Sequence, residues 1–155
     1  MVLEGIVDRE IRDRVAGLLA HQRDAPIRLR IVCPCIRDVL LPDGKTMSQH
    51  LRQLIAWKDA RVTVVVDPRS MAEDDDQSFL QKLEETGVKV HCKRDLHAKA
   101  ILLESKREHG LVVSSANLTE TGLGRQQEMG IYILNEHRDV FQKLDSYVTG
   151  LLRQA

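Results

Sequence analysis

The feature that most constrains the fold is the run LHAKAILLE at positions 96–104, which is largely apolar on both faces of a β-strand. Residues two apart share a strand face, so the odd-numbered residues from His97 to Leu103 point one way and the even-numbered residues from Leu96 to Leu102 the other. A strand that is apolar on both faces belongs in the interior of a covered sheet. The run therefore predicts a sheet with helices on both sides.

Periodicity and end signals predict the remaining elements. Helices are expected over about 4–22, from a Thr46–Gln49 capping box through Ile55, from an Asp76 cap to Gly87, and over 140–152. Strands are expected over 27–33, 61–68, 88–92, 96–104, 111–115 and 128–134.

The order of these elements predicts the fold class. The first strands alternate with helices, which implies right-handed crossovers and a parallel core. The polar turn SKREHG at 105–110 joins two strands and predicts an antiparallel pair. We expect an α/β fold with a mixed, mainly parallel sheet sandwiched by helices, and one domain over residues 1–155, since no linker or repeat divides the chain.

Charge and hydropathy narrow the partners and the location. The chain has 23 basic and 23 acidic residues, so any anion-binding face must be local. No apolar stretch approaches the roughly 20 residues of a membrane span, and the N-terminus is acidic and amphipathic rather than basic and then apolar. A cytoplasmic protein that does not enter a membrane is expected.

Metal chemistry is not indicated by the cysteines or the acidic residues. Cys33, Cys35 and Cys92 are too few and too closely spaced for structural zinc, so they are interpreted as reduced core thiols. The run Glu73–Asp76 lacks the further ligands of a calcium loop and is interpreted as a solvated loop and cap.

The polar residues at the ends of two strands predict an anion site. An unpaired lysine inside a sheet is strongly disfavoured, so His97 and Lys99 are expected where the strand opens onto a cleft. Ser115 and Asn117 share a face at the end of the next strand. Imidazole, ammonium, hydroxyl and amide groups together suit a phosphate. The alternative is a hydrogen-bonded core histidine beside an ordinary Ser-Ser-Ala-Asn turn or cap.

Three segments, HAKAILLE, SSANLTETGL and QEMGIYI, resemble the phospholipase D superfamily, whose signature is His-x-Lys-x4-Asp, a Gly/Ser-Ser-x-Asn segment and a downstream glutamate. The resemblance places the signature residues at His97, Lys99, Ser115 and Asn117. Glu128 matches the glutamate that orients the histidine. Glu104 replaces the usual aspartate, which in the family is a supporting residue away from the phosphate.

The resemblance also implies an assembly and a mechanism. Family members carry two motifs, and this chain carries one, so a homodimer with one active site on its two-fold axis is expected. One neutral His97 would attack phosphorus to form a phosphohistidine, while the other, protonated, releases the leaving oxygen. Glu128 would hold the attacking ring, and Lys99, Asn117 and Ser115 would stabilise the phosphate oxygens. No metal or cofactor is expected.

The resemblance implies a nonspecific endonuclease, with DNA ahead of RNA as substrate. Basic residues near the motifs could flank the cleft and contact phosphates, or form an ordinary charged surface: Lys93, Arg94, Lys106, Arg107 and Arg125. With five aromatic residues in the chain, of which Trp57 is the one tryptophan, a base-stacking platform is not expected. The alternatives are a phospholipase or cardiolipin-type hydrolase that docks on membranes through helix 4–22, and a noncatalytic nucleic-acid-binding module.

Overall fold

The computed structural model describes residues 3–21 and 23–154, whose strands form a seven-stranded sheet. The strands are β1 Glu4–Val7, β2 Arg28–Val32, β3 Arg61–Val66, β4 Lys89–Cys92, β5 Ala100–Glu104, β6 His109–Ser114 and β7 Met129–Leu134. The helices are α1 Arg9–Ala20, α2 Met47–Lys58, α3 Asp74–Glu85, α4 Glu120–Gly124 and α5 Arg138–Gln154.

The sheet is mixed, in the order β1-β7-β6-β5-β2-β3-β4. Strands β2, β3 and β4 are parallel and are connected through α2 and α3, as the crossovers predict. The other four pairings, β1 with β7, β7 with β6, β6 with β5 and β5 with β2, are antiparallel. The mixed α/β class is confirmed, but the sheet is mainly antiparallel rather than mainly parallel. The expectation missed the antiparallel pairings that β1, β7 and β2 add to the predicted hairpin.

Helices cover both faces of the sheet. One core contains the buried sides of α1, α2 and α3, and the second lies under α5 with Phe141, Val148 and Leu151. In β5, Ile101 and Leu103 face the first core, and Leu102 faces the second. The alternation that the sequence predicts for this strand is confirmed, and it places β5 between two apolar layers.

The N-terminal segment differs from the predicted helix over 4–22. It begins as the edge strand β1, in which Ile6 is buried and Val7 is exposed, and then turns at Asp8, whose φ is 49°. Because β1 pairs along its length with β7, tertiary pairing overrides the local helical spacing of its apolar residues. Helix α1 ends at Ala20, while the predicted end at Gln22, like the ends Met1, Val2 and Ala155 of the predicted domain, lies outside the described residues.

Two helix starts test the capping predictions. Thr46 caps α2 with the predicted reciprocal bonds to Gln49. At α3 the predicted cap is wrong, because Glu73 is the N-cap and Asp76 lies inside the helix, where its buried carboxylate accepts a 3.1 Å hydrogen bond from Arg37 Nε. Gly87, with φ of 103°, follows the helix end as predicted.

The predicted strands 27–33, 61–68 and 88–92 correspond to β2, β3 and β4, and 111–115 and 128–134 to β6 and β7. The three cysteines are free thiols, of which Cys33 is buried, Cys35 half-buried and Cys92 exposed. Cys92 is therefore not a core thiol.

Candidate active site at the sheet edge

Five residues selected from the sequence lie at one edge of the sheet. Strands β5, β6 and β7 are consecutive neighbours, so β5 begins, β6 ends and β7 begins at this edge. His97 and Lys99 immediately precede β5, Ser115 and Asn117 follow β6, and Glu128 precedes β7. Backbone bonds from Ser114 N to Lys99 O, at 3.2 Å, and from Ser115 N to Met129 O, at 2.9 Å, extend the sheet up to the site.

His97 and Lys99 lie outside the strand that the sequence predicts over 96–104, because β5 begins only at Ala100. His97 is exposed and Lys99 is half-buried. The Lys99 ammonium donates to the carbonyl of His97 at 3.2 Å, and the His97 imidazole has no hydrogen bond or ion pair within the described part of the chain. Because both side chains reach water just before β5 begins, the Lys99 ammonium avoids the free-energy cost of burying an unpaired charge.

Ser115 and Glu128 form a hydrogen-bonded pair. The Ser115 hydroxyl donates to the Glu128 carboxylate and accepts from Met129 N at 3.1 Å. The backbone of Glu128 is held by Asp8, through Asp8 N to Glu128 O at 2.9 Å and Glu128 N to Asp8 Oδ1 at 3.0 Å. Among the described residues, no hydrogen bond joins Glu128 to His97, so its expected role of holding the imidazole stays a prediction.

Asn117 lies beside a buried cysteine that the sequence did not assign to the site. The Cys33 thiol donates to Cys35 O at 3.0 Å and lies 3.5 Å from Asn117 Oδ1, and its sulfur accepts from Leu118 N at 3.4 Å. Burial raises the pKa of Cys33 to about 11, so the thiol keeps its proton and remains a donor. An amide whose oxygen faces Cys33 directs its NH₂ group elsewhere. The contact joins residues 84 positions apart, and no local pattern signals it.

Gly122 supports the same loop from the other side. A Cβ at this position would lie 2.3 Å from Asn117 O, closer than any side chain allows. Thr119 caps α4 by accepting from Gly122 N at 3.0 Å, which keeps the start of α4 against the Asn117 backbone. The missing Cβ is therefore what permits this approach.

Two cavities meet at His97. The first, here called the crevice, has a volume of about 420 Å³ and lies between the strand ends and α5; its mouth holds Lys99 and Ser115, and its wall is apolar, with Val113 and Leu144. The second, here called the basic groove, has a volume of about 450 Å³ and is lined by Lys93, Arg94, Asp95 and the end of α5. The His97 imidazole therefore lies between the basic groove and the apolar crevice.

The predicted basic flank is only partly present. Lys93 and Arg94 lie in the basic groove, but Lys106 and Arg107 lie in the turn at the opposite end of β5, about 16 Å away along the strand. Arg107 faces Asp24 there, at 3.9 Å. The prediction that these two residues flank the cleft is wrong, because an antiparallel hairpin carries its turn to the far edge of the sheet.

Arg125 also lies outside the two cavities that meet at His97. It follows α4 and lines a third cavity, of about 510 Å³, together with Arg9 and Arg12. The Arg12 guanidinium in this cavity pairs with Glu120 at 3.3 Å. The structure therefore does not bring Arg125 to the crevice or the basic groove.

Glu104 occupies the far end of β5, away from His97 and Lys99. Its carboxylate accepts a 2.9 Å hydrogen bond from Arg28 and lies 3.5 Å from Arg138, while Arg28 also reaches Asp145 at 2.9 Å. These contacts tie β5 and β2 to α5. A glutamate can therefore fill the position of the usual aspartate as a link between the sheet and α5.

Within the described ranges, 3–21 and 23–154, no group of three or more histidine, cysteine or carboxylate side chains is arranged to hold a metal ion. In the same part of the chain, no helix combines the length and apolar character needed to cross a membrane.

Comparisons with known proteins connect this site to a family. The family described as "Cardiolipin synthase, PLD-like domain" matches residues 19–152. The fold is similar to that of Nuc, a phospholipase D family member from Salmonella typhimurium, with a TM-score of 0.75 and 15% identity over 99% of this chain and 95% of that one. It is also similar to NucT from Helicobacter pylori, with a TM-score of 0.69 and 15% identity over 98% of this chain and 97% of that one.

A more distant likeness links the chain to part of a larger enzyme. The yeast tyrosyl-DNA phosphodiesterase has a TM-score of 0.51 and 14% identity, over 84% of this chain and 32% of that one. No curated protein matches the sequence. At these identities, the solved structures establish the shared fold.

Proposed function

Because the chain belongs to the PLD-like domain family of the phospholipase D superfamily, we propose that it is a metal-independent endonuclease that forms a phosphohistidine at His97. The membership supports a phosphodiesterase of the phospholipase D type. The single observation that carries the finer proposal is the convergence of His97, Lys99, Ser115 and Asn117 at one sheet edge, beside a cationic groove.

The proposed reaction uses two copies of His97. A neutral imidazole attacks phosphorus, forming a P–N bond, while the second, protonated imidazole gives its proton to the leaving oxygen as the P–O bond breaks. The second imidazole, now neutral, then takes a proton from a water molecule, and that water displaces the first imidazole from phosphorus. Histidine exchanges protons near neutral pH, so it suits both steps. The exposed, unpartnered ring of His97 is free to take either role.

The other site residues stabilise charge in this proposal. The Lys99 ammonium and the Asn117 amide bind the non-bridging oxygens as negative charge develops there, and the Ser115 hydroxyl, which donates to Glu128 in the free chain, turns to donate to one of these oxygens. Glu128, which lies on Ser115 at the same edge, holds the attacking imidazole when two chains come together. The cations replace a metal ion in this role, and no cofactor takes part.

A homodimer follows from the number of imidazoles. One chain supplies one His97, and the reaction needs an acid and a base at the same phosphate. A two-fold axis beside the sheet edge brings two identical sites together. The exposed position of His97 supports this arrangement, since a second chain can approach it.

Two observations support nucleic acid over lipid as the substrate. Lys93 and Arg94 lie next to His97 and have no side-chain hydrogen bond or ion pair within the described residues, so they are free to bind a second phosphate. The related fold of a tyrosyl-DNA phosphodiesterase is consistent with DNA ahead of RNA. The second candidate is a phospholipase or cardiolipin-type hydrolase, which the apolar wall of the crevice and the family's description favour.

The test compares substrates and one essential side chain. Single- and double-stranded DNA, RNA and vesicles of phosphatidylglycerol are incubated with the protein in EDTA, and products are separated on gels or by chromatography. Nucleic acid cleavage should persist in EDTA, and His97→Ala should lower it by at least about 1,000-fold. His21→Ala, at an exposed position at the far end of the sheet, is the matched control and should retain activity.

Mixing the two proteins tests the shared site. After subunit exchange, an equal mixture of wild type and His97→Ala should keep about one quarter of the activity if each site needs two imidazoles, and about one half if one chain suffices. Retention of cleavage by His97→Ala, a strict need for magnesium, or a half-activity mixture would contradict the proposal.

A further inference from the structure

Tyr147 on α5 occupies the junction between the crevice and the basic groove. His97 and Tyr147 are the two residues that line both cavities. The phenol is 57% exposed and makes no hydrogen bond within the described part of the chain. Its position follows from the helix: Tyr147 lies between Leu144 and Leu151 on α5, at the i, i+3, i+7 spacing of one helix face, and it lines both cavities.

The other tyrosine, Tyr132, has the contacts of a structural residue, and Tyr147 does not. Tyr132 is half-buried in β7, packs against the first core and lies under the Arg14 guanidinium, 4.8 Å from the ring centroid. Tyr147 has no such contact and leaves a large aromatic surface in water. An exposed aromatic ring beside an exposed imidazole is a ready stacking surface, although the five aromatic residues of the sequence alone do not predict one.

The charges around Tyr147 match a polyanionic strand. On one side lie Lys93 and Arg94, free of ion pairs in the described residues, while the carboxylate of Asp95, which also lines the groove, is paired with Arg69. On the other side lies the apolar wall of the crevice. A strand that places one phosphate at His97 and the next in the basic groove would bring the base between them to Tyr147.

We infer that Tyr147 forms a subsite that stacks an unpaired nucleobase next to the scissile phosphate, which makes single-stranded nucleic acid the preferred substrate. The inference rests on the proposed nuclease function. A base within a duplex is already stacked and paired, and it reaches a protein ring only after leaving the helix. A lipid acyl chain would occupy the crevice alone and leave both free cations of the groove unused, so nucleic acid accounts for more of the surface.

The experiment measures kcat/KM on a single-stranded oligodeoxynucleotide, on its duplex, and on an abasic strand that keeps the phosphates but lacks bases. The wild type should prefer the base-bearing single strand over the abasic strand by roughly 5- to 150-fold, the range that base–aromatic stacking supplies. Tyr147→Ala should bring that ratio close to one, mainly through KM, and Tyr147→Phe should restore it. The base-bearing single strand should also be cleaved faster than the duplex by the wild type.

The matched control is Trp57→Ala, which removes the other strongly exposed aromatic ring, 72% exposed on α2 in the opposite helix layer. It should leave every ratio at the wild-type value. A general folding defect would lower kcat/KM on the base-bearing and the abasic strand alike and leave the ratio of the two values unchanged. A change in this ratio therefore reports the loss of stacking.

The outcomes also separate this inference from the proposed function. Cleavage of DNA by the wild type with the same strand ratio in Tyr147→Ala would overturn the inference and leave the nuclease proposal standing. If the wild-type protein cleaves neither strand but hydrolyses phosphatidylglycerol vesicles, both the Tyr147 inference and the nuclease proposal are overturned.

Discussion

Replacing Gly122 by alanine should damage the site through the backbone of Asn117. The new Cβ would lie 2.3 Å from Asn117 O and 3.0 Å from Asn117 C and N, whereas ordinary contacts begin at 3.4 Å. Because Thr119 holds the start of α4, the strain is relieved by moving the Asn117 loop by about 1 Å. That shift also moves Asn117 Oδ1 relative to the Cys33 thiol, which lies 3.5 Å from it.

The expected size of the effect follows from this displacement. Moving a charge-stabilising group by about 1 Å lowers a catalysed rate by about 100-fold. The crowding itself should reduce the free energy of unfolding by about 1–3 kcal/mol, as other overpacked sites do. A folded protein therefore remains, with kcat reduced far more than its stability would suggest.

The assay combines kcat and KM on one single-stranded oligonucleotide with urea denaturation. Gly17→Ala is the control, since a Cβ added to the exposed Gly17 in α1 would meet no atom within 4 Å, and it should stabilise the protein by about 0.5–1 kcal/mol without changing kcat. A folded Gly122→Ala variant with kcat within about twofold of wild type would refute the placement of Asn117 at the reacting phosphate.

Three further predictions concern the buried and exposed thiols and the far end of β5. Burial raises the pKa of the Cys33 thiol to about 11, so the protonated thiol favours the folded state. This contribution to stability is complete below the ordinary thiol pKa and is lost as pH rises. In urea melts, the excess free energy of unfolding of wild type over Cys33→Ala should therefore fall by up to roughly 3 kcal/mol between pH 8 and 11. Glu104→Gln keeps the shape but loses the charge beside Arg28, and should lower the free energy of unfolding by about 1–2 kcal/mol with kcat/KM nearly unchanged. Ellman's reagent should label the exposed Cys92 in the native protein, and Cys92→Ser should remove that fast phase while Cys33 reacts only on unfolding.

Features that depend on neighbours along the chain are predictable from the sequence. The two faces of the 96–104 run, the Thr46–Gln49 capping box and the α2 and α3 crossovers all follow from spacings of a few residues. Features that depend on distant partners are not. Four residues of β1 carry helical spacing, and only their pairing with β7, more than 120 positions away, makes them a strand. The Cys33–Asn117 contact is invisible in the sequence for the same reason.

The error over Lys106 and Arg107 has a different origin, because the sequence does contain the signal. The turn at 105–110 is predicted as the connection of an antiparallel pair. Such a turn lies one full strand length from the residues that begin the first strand, so Lys106 does not flank His97. Basic residues that are close to His97 in the sequence can therefore lie at the opposite edge of the sheet, because the strand carries the chain away from the site.

The same reasoning shows why the site requires the antiparallel half of the sheet. In a parallel sheet all strands begin at one edge and end at the other, so His97 before β5 and Ser115 after β6 would lie about 16 Å apart. The β5–β6 hairpin reverses the chain, and the β6–β7 pairing reverses it again, which brings residues 97–99, 115–117 and 128 to one edge. The parallel strands β2–β4 contribute the buried Cys33 and the approach to the basic groove instead. A mainly parallel sheet, as the crossovers alone suggest, would separate the imidazole from the hydroxyl and amide that the proposed reaction needs beside it.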